Sequence, residues 1–506
     1  MKVLLFSMQK DTEGLGLKFI HYDLLAQGHD SSILFLPRFH LESVGRQQEL
    51  KRFIDTHAPG LVGISLMSQE YEKARILTRF LKEHVPSLPV IWGGIHPTID
   101  PTSCLEEADY VCIGEGEQTM REVCALLDRN QPITGVGNLC YLEQGTLRRN
   151  PLYPLLADLD TLPSYEHVAQ NSYILHRETI QPLTPQINRR YAPYLGRTYS
   201  VLSSRGCPFA CSYCCNSLFN QLYQDNKIRR RSVEHVIQEL ERAIRDYPEL
   251  KMINIQDDCF LAYNIKQVRQ FFAEYNRRIG LPFIVHVIPT YLTEEKMAVL
   301  KESGLAWIVL GLQSGSDRVL RDIYQRKSYR RHFLQAATLV HHYQVAGIYD
   351  VIMDNPLENE EDTIATIETF METPKPFMPE IFSLSLYPGT KIHDLAKLAA
   401  KTDAVEDYRK KSYLVYRKTV LNHLTRLAAF SSRSMVAPLL HLYRQSPNSW
   451  RFRVLLLAAR VLNLLVIEPV TYFRMIKLSQ GGSLSRALRT VPLYVKEGGQ
   501  RFLDQF

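Results

Sequence analysis

The chain has 506 residues, of which 45% are hydrophobic and 22% charged, and its net charge at pH 7 is +7. These proportions are those of a folded protein and exclude a chain that is disordered over most of its length. The length exceeds what one hydrophobic core supports, so we expect two or three domains. The strand-like start at residues 2–7 lacks the basic region and cleavage site of a secretory signal. We therefore expect a cytoplasmic protein whose nine cysteines are reduced.

Residues 1–149 alternate short apolar runs with helical stretches. The apolar runs are KVLLFS at 2–7, SSILFL at 31–36, LVGISL at 61–66, PVIW at 89–92 and DYVCI at 109–113. Continuous apolar strands separated by helices are typical of a parallel sheet that is buried on both faces. We predict an α/β fold that begins with a doubly wound, Rossmann-like domain, closed by a small hairpin at 141–147.

Small residues follow the strands of this first domain. Gly93 and Gly94 follow one strand, Gly114 and Glu115 follow another, and Ser65 ends a third. Doubly wound sheets bind ligands at the carboxyl ends of their strands, and a glycine pair lets a ligand approach the backbone closely. Glycines after strands are common in any such fold, so by themselves they indicate a ligand site only weakly.

Residues 150–198 carry six prolines and are predicted to be a linker or an irregular wrap that packs on both neighbouring domains. From residue 199 the alternation resumes, and we predict a barrel domain over 199–394. Its candidate strands are YSVLSS at 199–204, KMINIQ at 251–256, FIVHVI at 283–288, AWIVLG at 306–311, YDVIMD at 349–354 and EIFSLSL at 380–386. Six βα units indicate a complete or partial (β/α)6 barrel of the TIM type, with its active site at the strand carboxyl ends.

Three cysteines lie just after the first predicted barrel strand, with the spacing Cys207-x3-Cys211-x2-Cys214. A 4Fe–4S cluster usually takes four thiolates, so three close cysteines leave one iron open to a ligand from a substrate. The alternatives are a zinc site, although no second ligand pair follows, and a structural cluster with a distant fourth cysteine such as Cys259. Cys215 adjoins Cys214 and is expected to point elsewhere, as a packing residue.

Residues 199–390 resemble the core of the radical S-adenosylmethionine (SAM) enzymes. The resemblance implies that the cysteines hold a 4Fe–4S cluster and that its open iron binds SAM. It also implies SAM contacts for Tyr213 beside the adenine, for Asp257 and Asp258 at the methionine amino group, and for Gln313, Ser314 and Gly315 at the ribose and carboxylate. Gln313 stands where Glu is commoner, and Asp354-Asn355-Pro356 replaces the usual Gly-rich loop. Residues 386–390, LYPGT, match the pattern that closes such cores.

The segments LVGIS, VIWGGIHPT and DYVCIGEGE resemble the cobalamin-binding domain that is often fused ahead of such cores. Residues 158–163 resemble the joint between the two domains. The resemblance implies that cobalamin contacts Ser65, Gly93, Gly94, Gly114 and Glu115. No Asp-x-His-x-x-Gly run occurs, so cobalt is expected to lack a histidine ligand from this motif. An empty domain is the alternative.

Residues 395–506 contain no clear strand and are predicted to be a basic helical region. Residues 408–506 carry 17 Lys and Arg against three acidic residues. The most apolar stretch, 454–473, is interrupted by Arg460, Asn463, Glu468 and Pro469, so we expect a packed or interfacial helix and not a membrane span. The basic residues indicate a solvated face, or attraction to an anionic membrane surface or substrate. Nucleic acid is not expected, because no recognition fold is evident.

The resemblance implies an enzyme that reductively cleaves SAM and removes hydrogen from an unactivated carbon. Methyl transfer from methylcobalamin to that carbon is the leading hypothesis, and a low-potential electron donor such as flavodoxin or ferredoxin is the expected partner. The first alternative is cyclisation, ring contraction or rearrangement without methyl transfer. The second is a cobalamin- or SAM-responsive binding protein without catalysis. The substrate, whether a lipid or isoprenoid or an anionic small molecule, stays open, and the sequence singles out no catalytic side chain.

Overall fold

The computed structural model describes residues 1–399 and 412–485 together with Leu488. The first domain is built on one nine-stranded sheet. Its strands are β1 (Lys2–Ser7), β2 (Asp30–Phe35), β3 (Leu61–Ser65), β4 (Val90–Gly93), β5 (Tyr110–Cys112), β6 (Leu139–Glu143), β7 (Thr146–Arg149), β8 (Ser172–His176) and β9 (Thr179–Pro182). Their order across the sheet is β7-β6-β5-β4-β3-β1-β2-β8-β9. The first five strands are mutually parallel, as predicted from their apolar runs, and β6 and β7 form the predicted hairpin.

Helices cover both faces of this sheet. They are α1 (Leu15–Ala26), α2 (Val44–His57), α3 (Tyr71–His84), α4 (Ile95–Ile99), α5 (Pro101–Cys104) and α6 (Glu117–Asp128), followed by α7 (Pro185–Tyr191). Leu5 and Ile91 face one apolar core, whereas Leu4 and Trp92 face the other. Adjacent strand residues therefore pack on opposite sides of the sheet, which explains why these strands are apolar throughout.

The stretch expected to be a linker or irregular wrap contains ordered structure. Strand β8 pairs parallel to β2, and β9 pairs antiparallel to β8, so the two strands extend the sheet. The prolines are compatible with this structure because of where they lie. Pro182 is the last residue of β9, and Pro185 opens α7, where no intrahelical N–H bond is needed. Proline content alone therefore misrepresented part of this segment.

The second domain is the predicted partial barrel. Six parallel strands lie side by side in chain order: β10 (Thr198–Val201), β13 (Met252–Ile255), β14 (Phe283–Val287), β15 (Leu305–Gln313), β16 (Ala346–Met353) and β17 (Met378–Ser383). A short antiparallel ribbon of β11 (Ser204–Arg205) and β12 (Arg229–Arg230) stands apart from them. The helices are α8 (Cys215–Tyr223), α9 (Val233–Asp246), α10 (Ile265–Arg278), α11 (Glu294–Glu302), α12 (Arg330–His342), α13 (Glu360–Glu372) and α14 (Lys391–Leu398). Thr293 caps α11 by accepting a hydrogen bond from Lys296 N.

Alternate residues of the barrel strands point outward and inward. Ile253 and Ile255 pack outward against the helices, whereas Met252 joins Trp307 in a separate inner cluster. The same alternation places Asn254 on the inner face. Inner residues therefore line a space enclosed by the strands, with an apolar layer around Trp307 at its base.

Helices form the C-terminal region over the part of it that the structure describes. They are α15 (Val420–Phe430), α16 (Arg433–Gln445), α17 (Trp450–Leu462) and α18 (Glu468–Ser479), and a π-helical turn at Asn463–Ile467 joins the last two into one continuous helix. That helix, Trp450–Ser479, is by length and composition long and apolar enough to cross a membrane. Arg460, Asn463, Glu468 and Pro469 do not end this helix, which continues through the π-helical turn, and the expectation of a packed or interfacial helix stays a prediction. The basic residues of 400–411 and all of those beyond 485 lie outside the described residues.

Candidate active site between the two domains

The cysteine loop is anchored to the barrel on both sides. Ser212 N donates to Tyr324 O at 2.9 Å, and Ser212 Oγ donates to Ile323 O at 2.6 Å. The carbonyl of Ser212 accepts from Ile392 N, at the start of α14, at 3.1 Å. Asn220 of α8 adds a bond from its side-chain amide to Cys207 O at 2.9 Å. The loop is thus held in place by elements that follow three different barrel strands.

The motif cysteines follow the first barrel strand, although among the described residues no three His, Cys, Asp or Glu side chains are grouped closely enough to hold a metal ion. Cys207 and Cys211 are buried and Cys214 is half-buried. The Cys207 thiol lies near that of Cys259, and the Cys214 thiol near that of Cys215. The expectation that Cys215 is a packing residue stays a prediction. The chain offers three motif thiols and two adjacent ones to a cluster.

Arg326 is a site residue that sequence reasoning missed. Its guanidinium is buried, donates to Tyr213 Oη at 3.0 Å and to Gly311 O at 3.1 Å, and contacts the Cys211 thiol. A side chain on Gly311 would fill this space, since a Cβ there would lie 3.0 Å from Arg326 Nη2. The arginine therefore places a fixed positive charge beside the cysteine loop, where anionic thiolates or a carboxylate are stabilised.

The two adjacent aspartates expected to contact SAM have different environments. Asp257 is buried, and its carboxylate accepts from Ser203 N at 2.7 Å, Ser203 Oγ at 2.5 Å and Ser204 Oγ at 2.6 Å. Burial raises the pKa of Asp257 to about 6 against the effect of these bonds. Its oxygens are used to anchor the segment that leads into the cysteines, so we give Asp257 a supporting role. Asp258 lies near Asn216 and Gly206 beside the cysteine loop, burial raises the pKa of its carboxyl group, and it stays the candidate for the amino group.

The segment after β15 divides in a similar way. Gln313 has a left-handed backbone (φ 68°), and its side-chain amide turns back over Gly311 in the barrel interior. Ser314 is buried and donates to Glu358 at 3.2 Å. Gly315 packs against α13, where a Cβ would collide with Ala365 O, and its N–H donates to a threonine of that helix. Gln313 therefore faces the site, whereas Ser314 and Gly315 hold its wall.

The loop that replaces the usual Gly-rich segment is tied to the C-terminal region. Asp354, at the end of β16, accepts from Ser383 Oγ at 2.7 Å, from Arg417 N at 2.9 Å and from the Asn422 side chain at 2.8 Å. The residue that departs from the family pattern therefore has a structural role. An aspartate in this position fastens the approach to α15 across the ends of β16 and β17.

Polar side chains form a layer inside the barrel. Asn254, His286, Asp350 and Glu380 lie on inner positions of four strands, and Asp350 and Glu380 are direct partners across β16 and β17. Asn254 Oδ1 and Asp350 Oδ1 are buried without a hydrogen-bond partner. Burial lowers the pKa of His286 to about 4, so the ring is neutral at pH 7, and burial together with the charge of Glu380 holds the pKa of Asp350 well above its usual range. Buried polar atoms without partners indicate that a ligand or water binds here.

At the first sheet, the predicted cobalamin residues divide into two groups. Ser65 and Gly93 are half-exposed, and Gly94 and Ile95 are exposed at the carboxyl edge, where a flat ligand can approach the backbone.

His21 is buried with its ring nitrogens bonded to Ser31 Oγ and Gln170 O. Both ring nitrogens are therefore used in bonds within the first domain.

Gly114 and Glu115 contact the barrel domain. Gly114 has a left-handed backbone (φ 79°), and a Cβ there would collide with Tyr223 Oη of α8. Glu115 accepts from Arg229 at 2.6 and 2.9 Å and from Arg205 at 3.2 Å. Burial alone would raise the pKa of Glu115, but these two arginines lower it below its ordinary value. Glu115 therefore forms ion pairs across the domain interface, and its contact with cobalamin stays a prediction.

A second interdomain contact reaches the barrel interior. Glu13, in the loop after β1, accepts from Ser200 Oγ of β10 and, at 3.2 Å, from the Gln256 side chain after β13. Glu13, Gly114 and Glu115 all lie in loops at the carboxyl edge of the first sheet. Their partners lie at the carboxyl ends of barrel strands or just beyond them, so the two ligand-binding edges face each other.

Comparison with known families agrees with this arrangement. The family model of the B12 binding domain matches residues 1–124, and that of the Radical SAM superfamily matches residues 201–370. The chain belongs to the radical SAM enzymes that carry an N-terminal B12-binding domain. Its cofactors are a 4Fe–4S cluster, SAM and cobalamin. The anchored cysteine loop with its buried arginine fits the cluster and SAM, and the open sheet edge at Gly94 fits a macrocycle.

Individual relatives have different activities. The chain is 25% identical over 354 residues to an uncharacterised methyltransferase of Pyrococcus horikoshii, covering 69% of this chain and 72% of that protein. It is 23% identical over 379 residues to the anaerobic magnesium-protoporphyrin IX monomethyl ester cyclase of Rubrivivax gelatinosus, covering 73% of this chain and 63% of the cyclase.

Two solved structures share the fold. The radical SAM methyltransferase TsrM from Kitasatospora setae, with cobalamin and a [4Fe-4S] cluster bound, superposes with a TM-score of 0.61 at 17% identity over 79% of this chain and 78% of its own. The cobalamin-dependent radical enzyme OxsB, with aqua-cobalamin bound, gives 0.66 at 14% identity over 99% and 80%. The similarity to OxsB extends the shared fold into the C-terminal helices.

Proposed function

We propose that this cobalamin-dependent radical SAM enzyme methylates an unactivated carbon of a small-molecule substrate. The observation that supports this proposal is the facing of the two carboxyl edges, through Glu13, Gly114 and Glu115. Doubly wound sheets and barrels bind their ligands at those edges, so a substrate in the barrel opening lies between both cofactors. When bound, the cluster and SAM supply a radical that removes hydrogen, and cobalamin supplies a transferable methyl group.

The protein's own contribution at the cluster is to place charges. Cys207, Cys211 and Cys214 are the thiols that would hold the irons. Arg326 stands beside Cys211 and can pair with a carboxylate, whereas the Asp258 carboxylate beside the same loop can accept from an amino group. These opposite charges on two sides of one loop suit the amino-acid end of SAM.

The inner polar layer is the proposed substrate site. Neutral His286, the free Oδ1 of Asn254 and the Asp350–Glu380 pair offer hydrogen bonds within a space whose base is apolar. The two carboxyl groups hold at least one proton between them, because burial and mutual repulsion oppose two charges. This lining favours a substrate with polar groups near the reacting carbon. It favours an entirely apolar lipid chain less.

The experiment that tests this function is anaerobic reconstitution of the full chain with iron, sulfide and cobalamin, followed by reduction in the presence of SAM. Flavodoxin or ferredoxin is the proposed physiological electron donor. The expected results are bound cluster and cobalt in stoichiometric amounts and release of 5′-deoxyadenosine. When small-molecule extracts are added, a product heavier by one CH2 is expected, and it should carry label from the methyl group of SAM.

Two outcomes separate the alternatives. A product that lacks two hydrogens and carries no methyl label would support cyclisation, the type of activity for which the relative from Rubrivivax gelatinosus is named. Cofactor binding without any 5′-deoxyadenosine would contradict both enzymatic hypotheses. Replacement of Cys207, Cys211 and Cys214 by Ala should remove the visible absorbance of the cluster and all cleavage. Cys140→Ala, at a buried cysteine of the first sheet, is the matched control and should retain both.

A further inference from the structure

The helix Trp450–Ser479 has two faces of different character. Its packed face recurs at helical spacing and includes Phe452, Leu456, Met475 and Ile476, all buried. The opposite face is also apolar, although its residues are exposed to solvent. Its exposed residues are Trp450, Val454, Leu455, Leu457, Val461, Leu462, Leu464, Leu465, Val466, Val470 and Tyr472. We name these eleven residues the apolar face.

The apolar face is larger than a folded chain normally exposes to water. Leu465 is 68% exposed and Trp450 is 70% exposed. Isolated apolar residues on a surface need no explanation, but a contiguous patch along a 30-residue helix marks an interaction site. The helix is about 45 Å long at 1.5 Å per residue. Something other than water is therefore expected to cover this face.

The charged residues of the helix indicate which kind of partner covers the apolar face. The helix carries five Lys and Arg, namely Arg451, Arg453, Arg460, Arg474 and Lys477, and all of them are exposed. Its one acidic residue, Glu468, is buried and paired with Arg426 of α15 at 2.7 Å. Arg453 and Arg460 are seven residues apart and so lie on the same side of the helix, at the border of the apolar face. An apolar face bordered by cations is typical of a helix that binds an anionic membrane surface.

The packing of the helix decides how it can lie in a membrane. Buried contacts occur along its whole length, from Phe452 packed on Tyr443 to Met475 in the inner cluster of the barrel. Between them, Asn463 accepts from Ser431 Oγ at 3.1 Å. A helix that crossed the bilayer would have to leave these partners. The helix can keep them only if it lies parallel to the membrane surface with its apolar face inward.

We propose that the apolar face docks this enzyme on an anionic lipid bilayer as an in-plane, interfacial helix. A second copy of the chain is a poorer occupant, because a symmetric interface would bring the five exposed cations against one another. The proposal concerns location only, and it is independent of whether the reaction is methylation.

The test is sedimentation of the full-length chain with vesicles of phosphatidylglycerol and, separately, of phosphatidylcholine. We expect preferential binding to phosphatidylglycerol that weakens as salt is raised. The variant Leu457→Asp/Leu464→Asp/Leu465→Asp should lose at least about tenfold in binding, because charges on the buried side of an interfacial helix oppose insertion. The variant Arg451→Gln/Arg453→Gln/Arg460→Gln should lose about 150-fold in binding to phosphatidylglycerol, since each of three basic residues near an anionic surface contributes about 1 kcal/mol.

The control is Val44→Asp/Ile76→Asp/Leu142→Asp, which places the same three charges at exposed apolar residues of the first domain and should bind like the unaltered chain. Three results would overturn the proposal: no binding to either vesicle, binding that the leucine variant leaves intact, or resistance to extraction by alkaline carbonate, which indicates a spanning helix. A concentration-dependent dimer that the leucine variant dissociates, without vesicle binding, would also overturn it and would identify a second copy as the occupant.

Discussion

Glu115 provides the sharpest test of how the two domains are joined. The substitution Glu115→Gln keeps the shape of the side chain and removes the charge that two arginines share. Hydrogen bonds to charged groups contribute about 1.5–3 kcal/mol, and breaking a fully buried ion pair costs about 3–5 kcal/mol. Here Glu115 is 19% exposed, Arg229 13% and Arg205 17%, so solvent screens part of that energy. We expect the free energy of unfolding at pH 7 to fall by about 2–3 kcal/mol.

The pH dependence of this effect follows from the sign of the pKa shift. The folded-state pKa of Glu115 is lowered from 4.5, so its stabilising effect is present above about pH 4.5 and is lost as the pH falls through the lower, folded value. The difference between Glu115→Gln and the unaltered chain should therefore be full at pH 7 and shrink at pH 4 and below. Urea unfolding followed by tryptophan fluorescence measures both.

A double-mutant cycle separates the pair from other effects of the substitution. Glu115→Gln and Arg229→Gln, alone and together, should give a coupling energy of about 1–2 kcal/mol, because the residues are in direct contact. A coupling energy below about 0.3 kcal/mol would refute the interface role. Cobalamin content offers an independent readout. A lower cobalamin content with unchanged stability would instead support the prediction that Glu115 contacts that cofactor.

Three further substitutions test single sites. Gly315→Ala should destabilise the barrel by about 2–3 kcal/mol in urea unfolding, because the new methyl group meets the backbone of Ala365; unchanged stability with lost SAM binding would instead support direct SAM contact. His21→Gln should flatten the pH dependence of stability between pH 6.5 and 4. Burial lowers the folded pKa of His21 from 6.5 to about 4, so the unaltered chain should lose about 1 kcal/mol more than the variant between pH 7 and 5.5, measured by the same unfolding. Cys259→Ala should retain the visible absorbance of the cluster and SAM cleavage, since three motif cysteines suffice; loss of both would make Cys259 a ligand.

The features that the sequence predicted well are those that depend on residues close together in the chain. Apolar runs separated by helical stretches located five parallel strands of the first sheet and the six parallel strands of the barrel, because most of these strands bury both of their faces. The cysteine spacing located the cluster loop, since its ligands come from eight consecutive residues. The nature of the two cofactors followed from the resemblance, and the family models bear it out.

The features that sequence missed depend on distant parts of the chain. Arg326 lies 113 residues from Tyr213, and Glu115 lies 114 residues from Arg229, so no periodicity links either pair. Asp257 and Asp258 are adjacent and chemically alike. Only the path of the backbone after β13 determines which of the two side chains points into the protein. A motif gives the position of a segment, but not which of its side chains is already bonded to the fold.

The helix Trp450–Ser479 shows the same limit for an entire element. Apolar residues occur on both its packed face and its exposed face. A helix that is apolar all round is normally buried in a core or placed in a membrane. The structure divides these roles between its two faces: Met475 reaches the inner cluster around Trp307, while the apolar face stays open. Substitutions on the two faces should therefore have separable effects. Met475→Ala should lower stability by about 2–5 kcal/mol with vesicle binding unchanged, because it leaves a cavity under the barrel. The leucine variant should do the reverse, and a shared effect of both would mean that the helix acts as one structural unit.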